Sequence, residues 1–313
     1  MNNAWIGIDT SNYTTSVSAI LEDGTFYSSK IPLCVKPHEK GVRQSDAVFM
    51  HVKNLPRAID NLFEQISSDN KKVLISAVGV STRPRPIDGS YMPCFLSGVS
   101  VAHGIATCNN VPLYEFSHQE GHIRAALFGA NLDIPDHFYS FHLSGGTCEL
   151  LDVYRKEFGF VESIIAESAD ITLGQLVDRT GVMLGFQFPC GPELEKNANK
   201  SDNKFSIKIN GDKQINLSGF ENKVAKMIEC GDKSEDISRY VYYVIYSAVA
   251  RMLEERTDTL IPVIFAGGVS GSKILKSELS LMNNAYFAPP ELSSDNAVGI
   301  ALLTKEKFLG TNR

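Results

Sequence analysis

The sequence predicts two related α/β lobes, and three observations carry that expectation. The chain has 313 residues, more than one compact core usually takes and suited to two lobes of about 150 residues each. Residues 4–31 read as strand, small polar turn, returning strand and hairpin, and a similar pattern restarts at Phe138. Short turns of small and polar residues close the apolar runs in both halves, Asp9-Thr10-Ser11 in the first and Ser144–Thr147 and Gly267–Gly268 in the second.

Taken in order, the apolar runs around Ile6 and Val17 are strands, separated by the polar turn from Ser11 to Thr15. Asp23-Gly24 then marks a hairpin turn into Phe26 and Tyr27. Val48 to Ile66 predicts an amphipathic helix with Val48, Val52, Leu55, Ile59, Leu62 and Phe63 on its buried face. Val73 to Val80 is a buried strand, followed by the loop Arg83-Pro84-Arg85-Pro86. Leu96 to Cys108 is a helix, and Pro112 to Glu115 a short strand. In the second half, strands are expected at Phe138–Leu143, Glu149–Tyr154 and Phe158–Ile165, and a helix at Leu173–Leu184. Asn197 to Asn216 is rich in Lys and Asn and reads as an exposed insertion. A helix from Asp236 to Thr257, a strand at Val263–Ala266 and a helix from Asn296 to Phe308 complete the chain. The expected division is 1–135 plus 296–313 for one lobe and 136–295 for the other, with the insertion near 197–216. Such a duplicated pair of lobes around a nucleotide cleft is the actin/hexokinase/Hsp70-like architecture.

Composition narrows the class. Hydrophobic residues make up 43% and charged residues 21%, the balance of a soluble globular protein. The longest uncharged apolar stretch on an expected helix, Tyr240 to Ala250, is about half a bilayer span, so no membrane segment is expected. Met1 to Trp5 has no basic flank and runs into a strand, so no signal peptide is expected. The six cysteines contain no C-x-x-C pair, which suits a reduced cytoplasmic compartment without a zinc ribbon. A net charge of −6 argues against coating nucleic acid unaided and leaves room for a local basic patch or a partner.

His118 and His122 are the first chemical signal. At i and i+4 on a helix their side chains lie about 40° apart around the axis, so both can reach one ion. Imidazole suits zinc or iron, with a third ligand from elsewhere and open positions for substrate. A solvated histidine pair explains the spacing equally well. Glu120 does not make this a metalloprotease. It projects about 200° from His118, and the H-E-x-x-H motif needs its glutamate where this chain has Gln119.

The turns offer phosphate contacts. At Ser144-Gly145-Gly146-Thr147 the glycines let backbone N–H groups approach phosphate oxygens and the hydroxyls add donors. Asp9-Thr10-Ser11 is the counterpart in the first half, and the two turns facing one another would grip a polyphosphate; each also suits an ordinary hairpin. Gly267 and Gly268 would let a base and ribose lie against backbone, or form a tight strand-to-helix turn. Asp178 and the turn Pro189–Pro192 fit a binding cleft or a capped helix end. Arg83 and Arg85 fit RNA phosphate or a solvated loop.

Read as an ordered series, segments 6–11 (IGIDTS), 117–122 (SHQEGH), 143–146 (LSGG), 174–178 (GQLVD), 185–192 (GFQFPCGP), 217–219 (LSG), 266–269 (AGGV) and 294–297 (SDNA) resemble the threonylcarbamoyladenosine transferases, bacterial TsaD and its archaeal, eukaryotic and mitochondrial relatives. The resemblance implies Asp295 as the third ligand of one divalent iron or zinc. It also implies that His142, Leu143, Ser144, Gly145, Gly146, Asp178, Gly191 and Ser272 line the site for an adenine nucleotide or threonylcarbamoyl-adenylate, beside Asp9, Ser11, Gly267 and Gly268. The implied activity moves a threonylcarbamoyl group from the adenylate to the tRNA adenosine next to the anticodon. The implied partners are tRNA and TsaB-like and TsaE-like proteins, with a homodimer as a further possibility. The chain departs from the family pattern at several points: Tyr13 and Thr14 replace an acidic pair, Thr147 a histidine, Glu221 a lysine and Ser272 an asparagine, and Gln175 also differs. Those departures suit a divergent paralogue: a carbamoyl or phosphoryl transferase on a small molecule, or a non-catalytic nucleotide-binding subunit.

Overall fold

A computed structural model describes residues 2–11, 13–34, 42–211, 213–254, 260–279, 282 and 284–311. Asn12 and the helix end expected at Thr257 lie outside the described residues. The chain forms two compact units, Met1–Asp133 with Arg155–Val161 and Ser294–Arg313, and Ile134–Tyr154 with Glu162–Ser293. Residues 294, 295 and 155–161, grouped by the sequence with the second lobe, pack with the first unit, and residues 134 and 135, grouped with the first, pack with the second.

In the first unit, β1 (Asn2–Ser11), β2 (Thr14–Leu21) and β3 (Phe26–Pro32) form an antiparallel meander. Gly24 sits at φ +83° in its hairpin turn, where a side chain would be strained. Helix α1 (Gln44–Ser68) leads to β4 (Val73–Arg83), parallel to β1, and α2 (Phe95–Asn109) to β5 (Leu113–Ser117), parallel to β4. The sheet order is β3-β2-β1-β4-β5. Two further helices belong to this unit, α3 (His118–Gly129) and the last helix of the chain, α10 (Val298–Thr311). Alternate strand residues point to opposite faces. Ile8 meets α2 at Gly98 while its neighbour Gly7 lies against Ala301 of α10 and against Ala297 just before it, so the sheet is covered on both sides. That is why β1 is buried from Ala4 to Ser11 rather than alternating.

The buried face of α1 differs from the expected one. Ala47, His51, Leu55, Ala58, Leu62 and Ile66 face the core, while Val52 is 58% exposed and Phe49 64%. Hydropathy misled here because the core side uses two alanines and a histidine. The alanines let the helix lie close to the sheet, and His51 is buried because its Nδ1 lies 2.8 Å from Thr15 Oγ1.

The second unit repeats the plan. Strands β6 (His137–Leu143), β7 (Cys148–Arg155) and β8 (Phe160–Ser168) are followed by α4 (Leu173–Met183), α5 (Gly191–Ala198), the two-residue β9 (Gln214–Ile215), α6 (Ser218–Glu229) and α7 (Ser234–Leu253). Strand β10 (Val263–Ala266) then runs parallel to β6, a 3-10 turn (Gly268–Gly271) leads into α8 (Lys273–Leu279), and β11 (Ala285–Phe287) is parallel to β10, before α9 (Pro290–Ser293). The order β11-β10-β6-β7-β8-β9 contains the same five-strand arrangement as the first sheet, extended by β9.

The segment from Asn197 to Asn216 is exposed along much of its length, as expected, but it is anchored in the core. Asn197 is buried and donates to Ser238 Oγ at 3.0 Å, and Ile209 and Ile215 belong to the core, with Phe205 and Ile207 packed on it. Apolar residues at every second position from 205 to 209 face inward, and the intervening Ser206 and Lys208 give the stretch its polar composition.

Candidate metal centre and nucleotide site

Parallel strands release their chains at one edge, and side chains just past their carboxyl ends converge there. In the first unit that edge collects Asp9 near the end of β1, Ser81 near the end of β4 and Ser117-His118 where β5 passes into α3. Ser117 caps α3: its Oγ accepts from Glu120 N at 3.1 Å, and Glu120 Oε2 accepts from Ser117 N at 2.8 Å. The carboxylate of Glu120, buried and turned to this capping box, also accepts from Phe160 N at 3.5 Å. It serves the helix start and the segment 155–161.

His118 and His122 both point their Nε2 atoms at one spot, 3.0 Å apart. Asp295 Oδ1 completes it at 3.2 Å from His122 Nε2 and 3.8 Å from His118 Nε2. Asp295 reaches this place because the loop before α10 is pinned. Ala297 N donates to Ser16 Oγ at 2.6 Å and Val298 N to Asn296 Oδ1 at 3.0 Å. Helices α3 and α10 also cross in backbone contact, since a Cβ on Gly299 would fall 1.8 Å from Gly121 O.

The donor set fits one divalent cation. Ligand atoms each bound at about 2.1 Å lie roughly 3.0 Å apart at a right angle and 3.4 Å at the tetrahedral angle, and the three separations bracket these values. Two imidazoles and one carboxylate suit iron(II) or a zinc site with open positions. It is the only group of three such side chains converging in this way among the described residues. Burial works against the charged form of His118, but Asp9 at 2.8 Å, aided by Asp295, outweighs it and lifts the imidazole to about 9.

The residues expected around a nucleotide fall into two groups. Asp9 and Ser11 lie in the first unit, Asp9 between His118 and Ser81 and Ser11 buried, its hydroxyl without a hydrogen-bond partner. The rest belong to the second unit. Because Ala266 of β10 pairs with His142 of β6, the turns after these strands are neighbours. Gly267, at φ +94°, passes so close to Leu143 that a Cβ would lie 2.2 Å from its carbonyl oxygen. That explains glycine there without a ligand. Leu143 itself puts its side chain in the core. Gly145, Gly146 and Gly268 are exposed and have open space where a Cβ would be.

The Ser144 turn differs from the expected phosphate loop in one respect. Ser144 Oγ accepts from Gly146 N at 3.3 Å and Thr147 N at 3.0 Å, so these two amides are already engaged. Asp178 accepts from Cys190 N at 2.9 Å and thereby holds the turn before α5. Ser272 donates to Glu195 Oε1 at 2.6 Å, and Tyr242 OH donates to Gly191 O at 3.4 Å. Beside Tyr242 lies a cavity of about 160 Å³ lined by Phe205, Arg239, Tyr243, Tyr246, Ile274 and Glu278. That is below the roughly 300 Å³ of a drug-sized pocket and of the scale of one planar ring. Arg239 Nε is buried there without a partner, its guanidinium 5.5 Å from the Tyr243 ring.

Ser81, Glu195 and Tyr242 were not singled out in the sequence. Ser81 sits past the apolar run that ends the expected strand at Val80, and Glu195 lies four residues beyond Gly191 on the short helix α5. A polar residue just after a buried strand was the available signal for the first; Tyr242 carried none.

The chain matches the TsaD family, described as tRNA N6-adenosine threonylcarbamoyltransferase, over residues 31–302. It is 28% identical to the enzyme of that name from Thermosipho melanesiensis, covering 98% of this chain and 95% of the relative. The enzyme of that name from Methanopyrus kandleri is 22% identical over 95% of this chain and 85% of its own length. Among solved structures, HypF from T. kodakarensis superposes with a TM-score of 0.61 at 13% identity, over 99% of this chain and 47% of HypF. A ROK family glucokinase from Streptomyces griseus superposes with a TM-score of 0.51 at 14% identity, over 97% of this chain and 99% of the kinase. These likenesses establish the fold as the duplicated actin/hexokinase/Hsp70-like one.

Proposed function

From the premise that this chain belongs to the tRNA N6-adenosine threonylcarbamoyltransferase family, we propose that it transfers a threonylcarbamoyl group from threonylcarbamoyl-adenylate to the tRNA adenosine next to the anticodon. The observation that carries this reading is the convergence of His118, His122 and Asp295, with ligand atoms all within 4.8 Å of one another. A divalent iron or zinc held by them supplies Lewis-acid polarisation of a substrate carbonyl or phosphoryl oxygen.

The adenine of the donor enters the cavity beside Tyr242, stacked on tyrosine faces with Arg239 at its edge. Tyr242, which lines the cavity, donates to Gly191 O, and Ser272 donates to Glu195, which we place toward the ribose. The open backbone at Gly145, Gly146 and Gly268 meets the phosphate. For Gly146 and Thr147 to bind it, the Ser144 hydroxyl rotates away and exchanges one set of hydrogen bonds for another. The adenosine N6 then bonds to the carbamoyl carbon, the C–O bond to AMP breaks with its electron pair going to AMP, and N6 releases one proton. Donors fixed beforehand on the leaving phosphate lower this barrier.

The acceptor RNA meets the loop 83–91. Gln119 N donates to Pro84 O at 3.0 Å, which ties this loop to the first turn of α3 beside His118. It presents Arg83, Arg85 and the exposed Tyr91, the phosphate-binding and base-stacking groups used on single-stranded RNA. With a net charge of −6 the chain draws on TsaB-like and TsaE-like partners for the rest of the RNA surface. All six cysteines are free, as suits the cytoplasm.

One observation favours a second reading. Glu221, where the family pattern has a lysine, pairs with Arg179 at 2.8 Å and neutralises it. That suits a divergent member acting on a smaller acceptor. Incubation with threonylcarbamoyl-adenylate, unmodified tRNA and partner proteins, followed by nucleoside mass spectrometry, separates the two. Modified adenosine supports the first; its absence in every partner combination rejects it.

A further inference from the structure

We propose that Asp9 and Ser81 form a relay that orients His118 and thereby sets how tightly the His118–His122–Asp295 cluster holds its cation. The inference rests on reading that cluster as a metal site.

The relay follows from strand register. β1 and β4 run parallel, and Ile8 opposite Val80 is their last paired position. The next residue of each strand, Asp9 and Ser81, therefore emerges side by side at the carboxyl edge. Both are buried, Asp9 at 1% and Ser81 at 0% exposure. A buried carboxylate must have its oxygens satisfied, and both are. Asp9 Oδ1 accepts from the Ser81 hydroxyl, and Asp9 Oδ2 lies 2.8 Å from His118 Nδ1.

The donor and acceptor inventory then fixes the imidazole. An ionised carboxylate only accepts, so His118 Nδ1 must carry the proton it donates. In the neutral ring this leaves the Nε2 lone pair free, and Nε2 is the atom aimed at His122 and Asp295. A carboxylate behind a ligating histidine holds its tautomer and orientation and raises its basicity. No other residue needs to move for His118 to be presented this way. The same geometry favours a positioning role for Asp9 over the nucleotide contacts its turn suggested, since each oxygen is already engaged within the protein and a phosphate would meet a like charge. Ser81 touches the cluster only through Asp9, which makes it a positioning residue for a positioning residue.

Zinc titration of the chelator-stripped protein, in competition with a chromophoric chelator, tests the relay. Asp9→Ala is expected to weaken zinc binding about 10- to 100-fold. Asp9→Asn keeps the shape without the charge and should lose less, and Asp9→Glu, which restores a carboxylate, should recover part of the affinity. Ser81→Ala should weaken binding a few-fold. The double variant Asp9→Ala/Ser81→Ala should bind no more weakly than Asp9→Ala, because Ser81 acts through Asp9 alone. Thermal unfolding of the metal-free variants separates lost affinity from lost structure, and if Asp9→Ala does not fold, Asp9→Asn decides. Wild-type affinity in a folded Asp9 variant, or additive losses in the double, overturns the relay while leaving the metal site standing. Wild-type protein that takes up no zinc removes the metal reading and the relay together.

Discussion

At His118 and His122 the side chains are worth more together than apart. Each nitrogen sits within ligand distance of a common point, and with Asp295 the protein supplies three donors there. Removing one imidazole leaves two donors, too few to compete with water and buffer. His118→Ala or His122→Ala should therefore lower bound metal from about one ion per chain to below about a tenth, an estimate that follows from the ligand count of such sites. Elemental analysis of purified protein reads this directly, and unchanged content in the double variant would dismiss the site. A second residue-scale consequence concerns Asp170. Burial pushes its carboxyl up, but the amides of Leu217, Ser218 and Ile171 at 2.7–2.9 Å more than offset this and hold it at about 2. The unfolded-state value is the ordinary 3.8, so the folded protein gains stability above about pH 4 and loses it as pH falls through about 2. Asp170→Asn should cost about 1 kcal/mol near neutrality, the order of one net hydrogen bond. The gap in unfolding midpoint between wild type and variant should shrink on acidification, and a gap constant down to about pH 2 would contradict the assignment.

Among elements, the crossing of α3 and α10 joins stability to the metal site. The helices meet at Gly121 and Gly299, with no room for a Cβ on Gly299. Asp295 lies in the loop that leads into α10, so anything that lifts α10 moves the third ligand. Gly299→Val should destabilise the protein by at least the 1–3 kcal/mol typical of overpacking, and the folded fraction should bind zinc more weakly. Denaturant unfolding and zinc titration check the two halves; full zinc affinity in the destabilised variant would show that Asp295 moves independently of the crossing. The loop 83–91 makes a separate prediction. If Arg83 and Arg85 contact RNA phosphate, Arg83→Glu/Arg85→Glu should weaken tRNA binding at least about tenfold and flatten its salt dependence by roughly one to two counterions. Metal content should stay the same, and an unchanged salt slope would assign the loop to solvent.

For the whole molecule the issue is how far the departures reduce turnover. Thr147 has no imidazole, Tyr13 and Thr14 have no carboxylate, and Glu221 is committed to Arg179. One interaction realised only in the transition state is worth about 10² to 10³ in rate. With standard partner proteins and tRNA, this chain should transfer threonylcarbamoyl more slowly than a typical relative by at least one such factor. Tyr13→Asp/Thr14→Glu should not restore the rate alone, because Thr147 and Glu221 remain. Single-turnover rates equal to those of a typical relative, or full complementation of a strain lacking the transferase, would show that these positions carry little of the catalysis.

What the sequence determined by itself is whatever local periodicity and chain order encode. The repeated strand–turn–strand openings, the buried run Val263–Ala266 and the helical phase of His118, His122 and Glu120 need no partner to be legible, because they are set by residues within one or two turns of one another. The third ligand was legible only through resemblance, since nothing near Asp295 in the chain points to a histidine more than 170 positions earlier. Tertiary structure decided the remainder. It turned α1 so that Ala47, His51 and Ala58 rather than Val52 face inward, because small side chains permit closer packing than hydropathy ranks. It buried Ile209 and Ile215 within a stretch whose composition is polar. It gave Gly267 to a close pass against Leu143 and the amides of Gly146 and Thr147 to Ser144. Most of all it set Asp9 beside Ser81 and behind His118. That contact depends on the register of two parallel strands and the angle of a helix leaving a third, and both are fixed by how whole layers pack rather than by any local run of residues.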